Sequence, residues 1–360
     1  MGGVVLYGAT GYTGRLVLDE CVALGVRPVL AGRDGEALKA LSTQHQLEYR
    51  VAALDDQEAL DHLLRDATVV LHCAGPFFRT ARAMADACLR NRVHYLDITG
   101  EIAVFELLAA RDAEARAAGV MLLPGVGFDV VPSDCLAAHL KRRLPTATAL
   151  TLAFHGGGGL SRGTATTMAE NAGGPGAVRR GGRIVPVPPA WKTRRVDFGD
   201  LVYDTVTIPW GDVSTAFHST GIPDVEVYVA LSRSAIRSLR LSRLIAPLLR
   251  TDFVRRRLVA AIARRPPGPT AARRATSQAA LWGEARDASG RSVESRLRTP
   301  DGYTLTAQSA ARIARRVLDG TVRAGFQTPS RLLGADFVLE LPGCLRTDLQ
   351  SPMPGDGGMA

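Results

Sequence analysis

A chain of 360 residues, 46% of them apolar, is long enough for two domains and a substantial core, and that apolar share excludes a disordered or fibrous protein. Five cysteines without a CxxC pair exclude a disulfide framework and fit reduced thiols in a cytosol-like compartment, and no apolar run reaches the roughly 18 residues of a membrane span. The net charge of +9 is carried almost wholly by arginine, with lysine only at 39, 141 and 192; lacking zinc-finger spacing, an RNP-like pattern or a basic region joined to a heptad, it is bulk charge and predicts no nucleic-acid partner.

The opening MGGVVLYGATG runs straight into a strand at Val4–Tyr7, which leaves no room for a signal peptide. Behind it stands GATGYTG, residues 8–14, and then a helix over Thr13–Leu24. Strand, glycine turn and helix are the context of a dinucleotide fingerprint, although the spacing is GxxGxxG and not GxGxxG. Gly8 takes the turn, Gly11 admits a pyrophosphate, and Gly14 lets the helix pack on the sheet. Ala9, Thr10, Tyr12 and Thr13 complete the loop, and the pyrophosphate sits at the helix N-terminus.

A second strand, Arg27–Gly32, ends in LAGRD. Gly32 leaves space and Arg33 offers a planar fork to a 2′-phosphate, which favours NADP(H); Asp34 either faces a ribose or caps the helix it begins. Further strands follow at Leu47–Ala53, Ala67–Cys73, Val93–Ile98 and Val120–Leu123. Helices come between them, from Asp56 to Arg65, over Thr80–Arg90, and as one long helix up to Ala118. This alternation predicts a Rossmann-type, doubly wound parallel sheet. The motif CAGPF (Cys73, Ala74, Gly75, Pro76, Phe77) ends the fourth strand, where the carboxyl ends line the ligand crevice. Cys73 reads as a small buried residue, since hydride transfer needs no nucleophile. In HYLDITGE, Asp97 and Glu101 can border the cleft, Glu101 equally serving as a first-turn helix acid; His94 and Tyr95 read as structural.

After GFDVVPSD the pattern becomes mixed α+β. A helix is predicted over Pro132–Leu144 and a strand over Ala147–His155. The glycine run Gly156–Gly159 leads to Ser161 and a polar helix through Asn171. Residues 173–189 read as a connection or lid, 201–209 and 223–231 as extended, 279–308 as a hairpin turning at Asp301–Gly302, and Ala307–Asp319 as a helix. Asp129, Ser133, Asp134 and His155 are candidates to orient a substrate or donate a proton, set against turn bonding, capping and a satisfied strand-end histidine. No metal set and no G-x-S-x-G elbow is visible. The domains read as 1–130, 131–343 (its C-terminal helix able to pack back on the first) and a flexible tail, 344–360. Residues 231–274 hold twelve arginines and one acid, Asp252, with Ile236, Leu239, Leu244, Ile245, Leu248 and Leu249 available for an apolar face. They form either a helix pair with a solvated basic side or, with Arg237, Arg240, Arg243 and Arg250, a surface for an acidic carrier domain or an anionic membrane.

Taken together, these motifs resemble the saccharopine dehydrogenase-like oxidoreductases, and SRGTATTM (161–168) and GFQTPSRLLG (325–334) resemble its branch of trans-acting enoyl reductases. The similarity runs from residue 3 to about 343. It implies an NADP-binding Rossmann domain joined to an α/β catalytic domain, with Gly8, Gly11, Gly14, Arg33 and Ala74–Phe77 at the nucleotide. The branch implies NADPH-dependent reduction of an α,β-unsaturated polyketide or fatty acyl thioester, presented free or on the acyl carrier domain of a polyketide synthase. Other relatives act on amino-acid imines, and a non-catalytic nucleotide-binding protein is the third reading. A cytoplasmic protein follows, with peripheral membrane contact through 231–274 and a homodimer among its possible assemblies. That branch is usually longer than this chain, and its central segment differs.

Overall fold

A computed structural model describes residues 2–156, 159–249 and 251–349. Gly157, Gly158, Arg250 and 350–360, parts of the predicted glycine run, basic surface and tail, lie outside the described residues.

The first part of the chain alternates strand and helix: β1 Gly3–Tyr7, α1 Tyr12–Ala23, β2 Val29–Gly32, α2 Gly35–His45, β3 Tyr49–Val51, α3 Gln57–Leu64, β4 Ala67–His72, α4 Phe77–Asn91, β5 His94–Asp97, α5 Ile102–Ala109, α6 Asp112–Ala118 and β6 Met121–Leu123. There follow α7 Val131–Arg143, β7 Ala147–Gly156, α8 Arg162–Glu170, β8 Gly176–Arg180, β9 Arg183–Val187, β10 Thr193–Asp197, β11 Val202–Thr207, α9 Asp212–Thr220 and β12 Asp224–Ala230. Then come α10 Arg233–Leu241, α11 Ala246–Leu249, α12 Asp252–Ala263, α13 Ala271–Thr276, β13 Gln278–Asp287, β14 Ser292–Pro300, α14 Gly302–Leu318, β15 Gly325–Phe326, α15 Pro329–Leu333 and β16 Leu345–Leu349.

The first sheet is all parallel, in the order β15-β6-β5-β4-β1-β2-β3. Its inner strands are buried on both faces, as parallel strands flanked by helices must be, while the edge strand β3 exposes Tyr49 and Val51. Along β1 the side chains alternate: Val4 and Leu6 join a core with Val17 and Leu18 of α1 and Ala310 and Ala314 of α14, while Val5 and Tyr7 face Leu60 of α3 and Met84 of α4. Helix α14 thus lies on α1, and β15 completes the sheet from far along the chain. The single helix expected up to Ala118 is instead α5 and α6. The break turns α6 onto β15, where Asp112 Oδ1 accepts the Phe326 N–H at 2.7 Å.

The second sheet is mixed, ordered β10-β11-β12-β7-β13-β14-β16, with β8 on β12 and β9 on β8. Only β7 and β12 pair in parallel. The core around Leu6 continues through Leu136 and Leu140 of α7 to Leu152 and Val227 of this sheet, so one apolar core joins both layers.

Three expectations are corrected here. Residues 173–189 contain the hairpin β8–β9, turned by Gly181–Gly182, both at positive φ. The later hairpin β13–β14 turns at Asp287–Gly290, where Asp287 Oδ1 accepts the N–H groups of Ser289 and Arg291; Asp301 instead caps α14, accepting the Tyr303 N–H at 3.0 Å. Leu345–Leu349, placed in a flexible tail, is a strand on β14.

Candidate nucleotide and substrate site

The turn leaving β1 is built for close approach. Gly8 has φ +85°, and a Cβ there would lie 2.8 Å from Ala74 N. A Cβ on Gly14 would lie 2.2 Å from Gly8 O, so α1 can seat on the loop only with glycine at this position. Gly11 is different: extended, at φ −70°, it is the N-cap of α1, and a Cβ would meet only Gly8 O at 3.3 Å. Its service is open space above the helix and not an unusual backbone. No side chain caps α1, and its first internal bond is Arg15 N–H to Gly11 O at 3.0 Å. The N–H groups of the first turn are therefore available to a pyrophosphate. Ala9 is buried beneath the loop, and Thr10 and Thr13 stand half-exposed on it.

At the end of β2, Gly32 has nothing closer to a would-be Cβ than Leu38 Cδ1 at 4.0 Å. Asp34 Oδ1 accepts the Ala37 N–H at 3.1 Å, which settles its role as the cap of α2. Arg33 is exposed and makes no ion pair among the described residues, leaving its guanidinium to meet a 2′-phosphate. The glycine cradle, the uncapped helix and this arginine fit NADP(H).

The CAGPF turn ends β4. Cys73 N–H is bound to Tyr7 O at 2.8 Å, and burial pushes the thiol far above its ordinary pKa, so it is inert. His72 is buried and held neutral, its pKa pushed down to about 3 by desolvation. Its Nε2 lies 3.0 Å from Thr80 Oγ1, which donates to Ala74 O at 2.8 Å. The pair buttresses Ala74, Gly75 and Pro76 from below. The two oxygens of Glu101 accept the N–H groups of Phe77 and Phe78, each at 2.9 Å. Glu101 is thus the cap of α4 from across the sheet, a role neither sequence reading gave it. Burial raises its pKa against the pull of those two donors. Asp97 accepts from Tyr95 Oη at 2.6 Å and from the N–H groups of Thr99 and Gly125. It braces the exits of β5 and β6, and burial pushes its pKa up to about 6.

From the second layer, Asp129 stands over Gly100, whose missing Cβ would lie 2.7 Å from Asp129 Oδ2. Desolvation, and then the charge of Glu101, push its carboxyl up to about 7. Trp210 Nε1 donates to Asp129 O at 2.9 Å, and Phe154 of β7 packs on Trp210 at 4.7 Å between centroids. Ser133 is buried on α7 and donates to Val130 O at 3.1 Å, beside the fully buried Asp212, whose pKa is raised well above the carboxylate range by desolvation. Asp134 accepts from Ser219 Oγ and from the Ser330 N–H, tying α7 to α9 and α15.

His155 is on the wrong face. Successive residues of a strand point to opposite sides, and with Phe154 facing Trp210, His155 stacks on Tyr203 at 4.2 Å near Phe198. The structure therefore places Asp129 beside Gly100 and Glu101, Ser133 within buried α7, and His155 on the face of β7 opposite Phe154. It adds Tyr303, Trp210 and Asp212. Of these only Tyr303, two residues after a capping aspartate, had a local signal.

A strap closes over the loop. Tyr12 Oη donates to Pro269 O at 2.6 Å and accepts from Arg274 Nη1 at 2.9 Å, and its ring meets the edge of Tyr303 at 5.2 Å. Tyr303 Oη accepts the Ser161 N–H at 2.6 Å, Ser161 caps α8, and Arg162 N–H reaches Pro267 O at 2.9 Å. Arg79 of α4 pairs with Glu170 of α8 at 3.1 Å.

Residues 4–123 match the Saccharopine dehydrogenase NADP binding domain. Human saccharopine dehydrogenase-like oxidoreductase is 28% identical over 177 residues, covering 43% of this chain and 41% of that protein. The trans-acting enoyl reductase of Mycobacterium leprae (strain TN) is 33% identical over 150 residues, covering 39% and 36%. The chain thus spans about two-fifths of the length of these curated relatives. The apo histidine-tagged saccharopine dehydrogenase (L-Glu forming) from Saccharomyces cerevisiae shares the fold over 97% of this chain and 100% of its own, with a TM-score of 0.67 at 11% identity. The similarity to an NADP-binding domain of the saccharopine-dehydrogenase type thus covers β1 to β6 and the helices between them.

Proposed function

We propose that the chain is an NADPH-dependent oxidoreductase that reduces a polarised double bond held between the CAGPF turn and Asp129. The observation that carries this is geometric: the Asp129 carboxyl lies over Gly100, next to Glu101, whose two oxygens cap the CAGPF turn at the end of β4, and burial raises the Asp129 pKa. When bound, NADPH supplies a hydride. Gly8, Gly11 and the first turn of α1 would hold its pyrophosphate, and Arg33 its 2′-phosphate. Asp129, whose burial favours its protonated form, would donate a proton from its carboxyl to the reduced substrate or hold the charge developing on a carbonyl oxygen. The strap of residues 267–274, held on Tyr12, would cover the pyrophosphate end of the site.

For the substrate, Phe154, Trp210, Phe128 and Tyr303 offer an apolar and aromatic surface, which suits an α,β-unsaturated acyl thioester, and the mycobacterial relative is named for enoyl reduction. For such a substrate the hydride would be delivered at the β-carbon, and Asp129 would be the group to supply the proton at the α-carbon. A second reading, an imine or amino-acid dehydrogenase, is supported by the neighbouring carboxyls of Glu101 and Asp129, either of which, when ionised, would welcome a cationic nitrogen. NADPH oxidation measured with enoyl thioesters, free and on an acyl carrier domain, and with imines of 2-oxo acids decides between them. Turnover of imines alone overturns the enoyl reading, and tight NADPH binding without turnover of any of them overturns both.

A further inference from the structure

We infer that helices α10 to α12 form a docking surface for an anionic lipid membrane. Among the described residues, six of the eighteen exposed large apolar side chains fall between positions 231 and 258: Leu231, Leu241, Leu244, Ile245, Phe253 and Leu258. Leu244 is 80% exposed, Phe253 67% and Leu241 63%. These helices hold to the body by few side chains. Ile236 of α10 packs with Val206 and Ala190, and Ile262 of α12 packs with Ala165 and Ala169 of α8.

Charge selects the occupant. Arg237, Arg256, Arg264 and Arg265 are exposed and make no ion pair among the described residues, and the segment's one acid, Asp252, is already paired with Arg255. Arg257 lies over the Phe253 ring at 5.0 Å. An acidic protein would answer the arginines but gives no role to leucines and a phenylalanine standing clear of the surface. A lipid interface answers both, taking apolar side chains among the acyl chains while guanidinium groups meet phosphates. The chain then passes from α12 through Pro266–Pro269 to the contact with Tyr12, so docking places the strap of the nucleotide loop near the bilayer.

The test is co-sedimentation of the whole chain with vesicles of phosphatidylcholine alone and of phosphatidylcholine with phosphatidylglycerol. Binding is expected only to the second, and weakening with salt. The triple variant Arg237→Glu, Arg256→Glu, Arg264→Glu should lose at least about a hundredfold in partitioning, at roughly fivefold per arginine removed. The double variant Leu244→Ser, Phe253→Ser should lose at least about tenfold. All five side chains are exposed, so circular dichroism and NADPH affinity should stay unchanged; an Arg→Gln set replaces the first variant if they do not. Equal binding to both vesicles, no binding to either, undiminished binding by either variant, or binding to an acidic carrier protein in place of vesicles overturns the proposal.

Discussion

Replacing Asp129 by asparagine should stabilise the protein, and by more as pH rises. The side chain keeps its shape over Gly100 but can no longer ionise. In the wild type the folded carboxyl titrates near 7, against an ordinary value of 3.8. Between those two values the folded state holds a proton that the unfolded chain has lost, so stability falls with pH and the loss is complete above about 7. At about 1.4 kcal/mol per unit, the full penalty is about 4 kcal/mol, of which a smaller part has accrued by about pH 5. The asparagine variant escapes it, so its advantage should widen by about 3 kcal/mol between about pH 5 and about pH 8. Asp97 is also raised but is common to both proteins and cancels, whereas Asp212, raised in part by the charge of Asp129, is relieved in the variant, a change of the same sign. Urea unfolding of the two proteins across that range measures it. An advantage that stays flat or shrinks with pH refutes the desolvated, protonated carboxyl. The same variant tests the chemistry: kcat should fall, and wild-type kcat should decline above about pH 7 as the proton is lost. A stabilised variant with full kcat would confirm the environment of Asp129 and refute its role.

Arg33→Ala should erase a preference of at least about tenfold for NADPH over NADH, about 1.4 kcal/mol, and equal affinities in the wild type by calorimetry would exclude a 2′-phosphate contact. Gly14→Ala should destabilise the unliganded protein by about 2 kcal/mol or more, since backbone faces its Cβ at 2.2 Å, whereas Gly11→Val should leave the melting point nearly unchanged and weaken NADPH at least about tenfold. His155→Ala should leave kcat and KM unchanged, because its ring stacks on Tyr203 on the far face of β7; a large fall in kcat would return it to the site.

The nucleotide half was legible because its signals are local. A strand buried on both faces reads as an apolar run, a glycine turn must follow β1 at once, and Asp34 and Asp56 sit where helix caps sit. The substrate half was not, because its geometry depends on pairings far apart in the chain. Whether Phe154 or His155 faces the cleft is set by the register of β7 on β12 and β13, and a one-residue change of face is invisible in an apolar stretch. Glu101 was seen as a helix acid, but its partners are the N–H groups of Phe77 and Phe78, reached only once β4 and β5 lie side by side. The Gly181–Gly182 turn has a local signal in its glycine pair, but Pro175, Pro186, Pro188 and Pro189 around it argue against strands.

The basic segment shows how composition and position carry different information. Twelve arginines in 231–274 describe a surface, and composition could say no more than that. Its last residues are not surface in the same sense. Arg274 and Pro269 hold the hydroxyl of Tyr12, and Pro267 holds the first turn of α8, so the end of the segment is the strap over the nucleotide loop. Tyr12 is therefore shared by two parts of the molecule: its backbone opens α1 toward the pyrophosphate, and its side chain anchors the strap. A nucleotide that orders the first turn of α1 must also bear on the strap, and whatever α10 to α12 dock against is one short proline-rich link from the cofactor.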